Sequence, residues 1–343
     1  MLFLIIVCFI GLKFGWFEGR LEKGILPLVD RPPGVEAFLP ISALVSLKYF
    51  FLTGTINDVH PSGLVIFLII CATAFIVKKG FCSWVCPIGF LSEYLSKVHY
   101  LVFKKGYKPS PLLDRTLRIC KYLLAGFFIW SVFFKMPLGT IESFIKSPYN
   151  ILADIKMFRF FTRISMTAFF VILGLILLSV LIRNFWCRYL CPYGALIGVL
   201  SLLSLGRINF NRSRCSNCGK CEKACPGLIK IRQGKSSFSF ECSACLQCVN
   251  VCPEKNALKY SFFKKIPIGS VGIGMILLVM FSFGIATARL TGHWENKISK
   301  KAYFFNMMAQ GMMDRVEIGT GQSENLRSKR MLNLMKIMQG KKN

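Results

Sequence analysis

Cys215-Ser-Asn-Cys218-Gly-Lys-Cys221-Glu-Lys-Ala-Cys225-Pro226 is followed by Cys242-Ser-Ala-Cys245-Leu-Gln-Cys248-Val-Asn-Val-Cys252-Pro253. Both stretches spell Cys-x2-Cys-x2-Cys-x3-Cys-Pro. Three thiolates at x2 spacing wrap one corner of an iron–sulfur cube, while the fourth cysteine of each run belongs to the other cluster. The spacing therefore predicts one ligand set of Cys215, Cys218, Cys221 and Cys252, and a second of Cys242, Cys245, Cys248 and Cys225. Soft thiolates suit this chemistry. Structural zinc also uses Cys-x2-Cys pairs, but it leaves the third cysteine and the Cys-Pro step of both copies unexplained. A disulfide scaffold is disfavoured, because the charges elsewhere in the chain put this segment in the reducing cytoplasm. Two [4Fe–4S] clusters are expected.

Around this stretch the composition changes the class of protein. The chain has 343 residues, 54% of them hydrophobic, with a mean hydropathy of +0.52. That excludes an ordinary soluble domain and suits an integral membrane protein. Lys and Arg outnumber Asp and Glu by 44 to 16. Nucleic acid would need a basic patch on a soluble domain, whereas these cations flank apolar runs, so membrane lipid is the expected partner and nucleic acid is not. Of the 15 cysteines, Cys8, Cys71 and Cys120 stand alone in apolar runs and read as small hydrophobes.

Five apolar stretches, 1–17, 63–77, 119–134, 164–182 and 267–288, predict an α-helical integral membrane protein of about five transmembrane helices. The first has no basic leader and no small-residue cleavage site, so it reads as a short span rather than a signal peptide. Residues 35–52 suggest an interfacial or re-entrant segment, and 194–205 is too short to span. A bacterial two-[4Fe–4S] ferredoxin-like α+β domain is inserted at 207–260. It separates a membrane domain, 1–206, from a last span at 261–288 and a basic tail at 289–343, where Trp294, Tyr303, Phe304 and Phe305 mark either a surface-lying segment or nothing.

Segments 78–118 and 183–265 hold 8 and 14 basic residues, against 4 and 5 in 18–62 and 135–163. By the positive-inside rule the ferredoxin domain faces the cytoplasm of a bacterial inner membrane. The 11 basic residues of the tail run against this rule, because five spans put the tail outside.

The membrane part is written twice, over about 31–91 and 137–196. Glu36, Lys48 and Cys82-x3-Cys86-Pro87-x-Gly89-x-Leu91 answer to Glu142, Lys156 and Cys187-x3-Cys191-Pro192-x-Gly194-x-Leu196. The repeat is parallel, about an axis along the membrane normal, and function is expected at its interface. One Cys-x3-Cys pair offers two thiolates, too few for a cluster; two pairs offer four. A third iron–sulfur centre held by Cys82, Cys86, Cys187 and Cys191 is the leading expectation. Structural thiols, redox-active dithiols and another metal are its alternatives.

Glu36 and Glu142, with Asp58, His60 and Asp154 near the same outer face, read either as a hydrated membrane surface or as a quinol pocket. In the second case Glu36, Glu142 and His60 are the candidate proton acceptors. No two His residues sit at a spacing suited to bis-His haem.

These motifs resemble the NapH/NosR/YccM group of membrane polyferredoxins, over about Arg31 to Phe283. The resemblance is carried by Arg31-Pro-x-Gly34-Val-Glu36, Lys79-Gly-Phe81-Cys82-Ser-Trp84, Ser147-Pro148-Tyr149, Trp186-Cys187-Arg-Tyr-Leu-Cys191-Pro-Tyr-Gly-Ala-Leu196 and both cysteine runs. It is nearest to the YccM-like members, which lack the large extracytoplasmic flavin domain of NosR. The resemblance implies a membrane-bound electron relay between the quinone pool and a protein redox partner, as an electron-transfer subunit of a quinol dehydrogenase-type oxidoreductase. The residues themselves leave two other classes open: a metal or disulfide reductase using the Cys-x3-Cys pairs, and a redox sensor or assembly factor. No dinucleotide loop or flavin fingerprint is present.

Overall fold

The computed structural model of the chain is mainly helical with one small sheet, and it describes residues 2–23, 25–103, 109–233, 238–254, 256–263 and 265–318. Lys104, Lys105 and Lys108 of the basic loop, and residues 319–343 of the tail, lie outside the described residues. Among the described residues, Pro111–Lys135 and Ser270–Leu290 are long and apolar enough to cross a membrane. A third span follows if Ala153–Thr162 and Met166–Leu181 are the two parts of one broken span. The other two expected spans are helical but fall short of that standard. Pro61–Val77 has 17 residues, and Leu2–Glu22 carries Lys13, Glu18, Arg20 and Glu22, where about 20 predominantly apolar residues are needed.

Contacts divide the chain into two compact units. The first comprises 1–7, 65–135 and 164–291. Its sheet pairs β1 (Gly206–Phe210) antiparallel with β2 (Leu258–Phe262), setting Ile208 opposite Tyr260, and β3 (Ile266–Pro267) adds to β2. Both cysteine runs lie between β1 and β2, so the pairing closes the ferredoxin-like segment on itself. Ile208, Ile229, Ile231, Leu258 and Tyr260 bury against Cys221, Cys225, Cys242 and Cys248, and the same core includes Val77, Ile273 and Leu277 from apolar helices. Each fully buried Leu or Ile contributes about 1.5–3 kcal/mol. The entry strand is also pinned by polar contacts: Lys78 N–H donates to Ser204 Oγ at 3.0 Å and Leu205 N–H to the Phe75 carbonyl at 2.8 Å.

The second unit comprises 8–64, 136–163 and 292–343. Phe14, Phe17, Leu21, Val35, Leu152 and Ile155 form its core with Tyr303, Phe304, Met307 and Met308. Those last four residues recur at i, i+1, i+4 and i+5 on the helix Lys300–Ile318, the spacing of one apolar stripe. The start of the basic tail is therefore a packed element, with Trp294, Tyr303 and Phe304 buried and only Phe305 of the four aromatics exposed.

Candidate iron–sulfur centres

The ferredoxin-like segment forms two cavities lined by cysteines from both runs. One is lined by Cys225, Cys242, Cys245 and Cys248. The other is lined by Cys215, Cys218, Cys221 and Cys252. Each cavity thus gathers three cysteines of one run and the last of the other.

The two loops are alike in backbone. Asn217 (φ 57°) and Gly219 (φ 72°) in the first match Ala244 (φ 50°) and Leu246 (φ 58°) in the second. Residues in this left-handed region turn successive N–H groups toward one point, a cradle for an anion. Among the described residues no three His, Cys, Asp or Glu approach closely enough to hold one metal ion. Four thiols drawn from two loops around each cavity are the donor number and type of a polynuclear iron–sulfur cluster.

The two Cys-x3-Cys-Pro turns are also built alike, but not as plain α-helix. Cys86 N–H donates to the Phe81 carbonyl at 2.9 Å, and Cys191 N–H to the Trp186 carbonyl at 2.9 Å. Both bonds reach back five residues, the widened π-type turn often found at functional sites. A left-handed residue precedes each turn, Lys78 (φ 55°) and Asn184 (φ 57°). All four thiols share one environment. Burial pushes Cys82 up, Lys79 opposes this, and Cys86, Cys191 and Cys187 add to it. Burial followed by Cys191 and Cys86 pushes Cys187 up to about 12.

The glycines of the two copies are not equivalent. A Cβ on Gly89 would lie 1.9 Å from the Cys82 carbonyl oxygen, whereas one on Gly194 would meet Cys191 Sγ at an ordinary 3.5 Å. Gly89→Ala is expected to displace the first turn and lower the iron content of the purified protein, while Gly194→Ala leaves it near wild type. Equal iron in both variants would contradict this.

Both turns are hydrogen-bonded to the loops around the first cavity. Lys79 N–H donates to the Cys242 carbonyl at 3.4 Å, and Trp84 Nε1–H to the Ala244 carbonyl at 3.1 Å. From the second copy, Arg183 donates to the Ala224 carbonyl and Gln247 Oε1, each at 3.2 Å. Arg188 Nη1 donates to the Pro226 carbonyl at 3.1 Å. Asp114 holds Arg188 through Nε and Nη2 at 2.8 and 2.9 Å, and accepts from Tyr189 at 2.6 Å.

Beside them Glu241, next to Cys242, accepts from Lys121 at 2.6 Å and Lys79 at 3.5 Å, and from Tyr122 at 3.3 Å. Burial alone would raise the Glu241 carboxyl; Lys79 and Lys121 instead hold it down at about 2. The positive-inside count had absorbed Lys79, Arg183 and Arg188 as loop charges. Lys121 carried a readable signal, being a charge inside an apolar run.

The outer candidates part company. Glu36 and His60 come together with Arg31 and Asp154 in a closed network, all at most 9% exposed. Arg31 pairs with Asp154 and donates to Glu36 Oε1 at 2.6 Å. Glu36 Oε2 accepts from Ser62 Oγ at 2.5 Å and Gly63 N–H at 2.7 Å. His60 Nε2 donates to the Asn150 carbonyl at 2.7 Å, leaving Nδ1 at 3.2 Å from Glu36. Burial would raise Glu36, but Arg31 and the His60 and Ser62 hydrogen bonds bring it down to about 2. Glu142 lies apart from this network, lining an open cavity with Tyr49, Asp58, Lys146, His293 and Lys297.

A family model described as a 4Fe-4S binding domain matches residues 59–108 and again 164–211, and a 4Fe-4S dicluster domain matches 207–253. Each match of the first contains one Cys-x3-Cys-Pro turn. The chain is 38% identical to YccM of Escherichia coli (strain K12), provisionally named an electron transport protein, over 80% of this chain and 78% of that one. It is 27% identical to the ferredoxin-type protein NapH of Haemophilus influenzae, over 70% and 78%. It is 29% identical to the methylamine utilization ferredoxin-type protein MauN of Methylorubrum extorquens, over 62% and 64%. No solved structure matches.

Proposed function

This chain belongs to the YccM/NapH-type polyferredoxins and is an iron–sulfur electron-transport protein; from that premise we propose that it relays electrons between the quinone pool and a protein redox partner. In this reading it crosses a bacterial inner membrane about five times. The ferredoxin domain faces the cytoplasm, because basic residues concentrate in 78–118 and 183–265.

Cys215, Cys218, Cys221 and Cys252 hold one cluster, and Cys225, Cys242, Cys245 and Cys248 a second. Cys82, Cys86, Cys187 and Cys191 hold a third centre between the two halves of the repeat. When bound, such clusters take up and release single electrons at potentials set by charge, hydrogen bonds and exposure. The observation that carries the reading is the set of hydrogen bonds from both Cys-x3-Cys turns onto the backbone beside Cys225, Cys242 and Cys245. They orient the turns toward the second cluster's loops, so the third centre and the ferredoxin domain form one continuous path.

Lys79 and Lys121, only partly offset by Glu241, supply positive charge beside a site that gathers thiolates. A quinol would meet Glu142 at its open cavity. Glu36 and His60, locked with Arg31, hold the shape of that region instead of exchanging protons.

Anaerobic EPR before and after a menaquinol analogue tests the relay. Cluster signals that appear with quinol are expected. Clusters reduced by dithionite yet silent to quinol would overturn the quinone end of the path.

A further inference from the structure

The two ferredoxin cavities differ in exposure. Around the first, Cys225, Cys242 and Cys248 are buried, whereas the second has Cys218 exposed and Cys215 and Cys252 half-buried. An electron leaving for a protein partner would depart most readily from the exposed edge.

That edge is basic. Arg212 and Arg214 form the turn before Cys215, and Cys215 N–H donates to the Arg212 carbonyl at 3.2 Å. Lys220 and Lys223 follow on the short helix Lys220–Ala224. All four are exposed. Glu222 on the same helix is held by Arg232 at 3.1 Å, which leaves Glu254 as the exposed carboxylate at this cavity. Over 207–263 the sequence has ten basic residues against three acidic.

Resting on the relay reading above, we propose that Arg212, Arg214, Lys220 and Lys223 form the docking surface for an acidic one-electron redox protein, seated over Cys218. Complementary charge of this kind steers encounter and speeds association about 10- to 1,000-fold, with a steep dependence on ionic strength. An anionic lipid surface would also meet basic residues, but it takes no electron, and these cations flank the exposed Cys218 along the chain, with Lys220 beside it.

The test uses the full chain, iron-loaded and reduced with dithionite, mixed by stopped flow with an acidic b-type cytochrome or a basic c-type cytochrome. One electron leaves the protein and one haem iron is reduced. Transfer to the acidic cytochrome is expected to slow about tenfold between low and high salt. The triple variant Arg212→Glu, Arg214→Glu, Lys220→Glu should slow it about tenfold at low salt and quicken transfer to the basic one. Iron content is measured in parallel to show that the clusters persist. Unchanged rates with both cytochromes would overturn the proposal. So would rates that hold while binding to phosphatidylglycerol vesicles is lost, which would assign the patch to lipid. If the loaded wild type reduces neither cytochrome nor a small uncharged quinone, the relay reading itself fails.

Discussion

Replacing Cys187 by serine is expected to remove about a third of the protein's iron and to abolish reduction of the ferredoxin clusters by quinol, while dithionite still reduces them. The iron follows from three centres of equal size falling to two. The selectivity follows from the architecture. Cys187 lies in the turn Trp186–Leu190, and the two ferredoxin cavities are lined entirely by residues after 207. Serine keeps the size of the side chain, so Arg183 and Arg188 retain their bonds to the Ala224 and Pro226 carbonyls and the domain stays docked. A variant with full iron and no turnover would instead make the Cys-x3-Cys pairs a dithiol reaction site. Cys82→Ser should behave identically, because the two turns contribute equally to the centre. A difference between the two variants would break the symmetry on which the assignment rests.

The second large effect lies in the other unit. Arg31→Leu is expected to cost about 3–5 kcal/mol, because it leaves Glu36 and Asp154 buried without their shared cation. Cation–π contact with the Tyr303 ring, 5.8 Å from the guanidinium carbon, is lost as well. The pH dependence identifies the cause. In the wild type the Glu36 carboxyl sits at about 2 against an ordinary 4.5. Its contribution is therefore fully present above about 4.5 and lost as pH falls toward 2. Without Arg31, burial dominates and the folded value lies above the unfolded one, so the sign reverses: the variant's deficit should be smaller at pH 5 than at pH 8. Thermal unfolding of both proteins at the two pH values reads this directly. A deficit independent of pH would mean that packing, rather than the orphaned carboxylates, sets the cost.

The two cysteine runs were legible as a 4Fe-4S dicluster segment because their spacing marks it, and a family model of that description matches residues 207–253. Cys225 lines one cavity with the second run and Cys252 the other with the first, and the proposed ligand sets follow that grouping. The widened turns at Cys86 and Cys191 were not legible, since Cys-x3-Cys suits an ordinary helical turn and a five-residue hydrogen bond leaves no mark in sequence. Glu36 and Glu142 show the limit of repeat reasoning. They match in register, yet Glu36 sits in the 3₁₀ turn Pro33–Phe38 and Glu142 on the helix Leu138–Lys146. The same residue is sealed in one copy and open to a cavity in the other. The start of the tail was not legible for a similar reason. Its charge count concealed the stripe of Tyr303, Phe304, Met307 and Met308 that buries it.

The most direct test is the count of iron and acid-labile sulfide per chain in fully loaded wild-type protein. Three centres predict about twelve of each, four for every cubane. A count that stops at about eight would contradict the account, leaving Cys82, Cys86, Cys187 and Cys191 as thiols without a cluster.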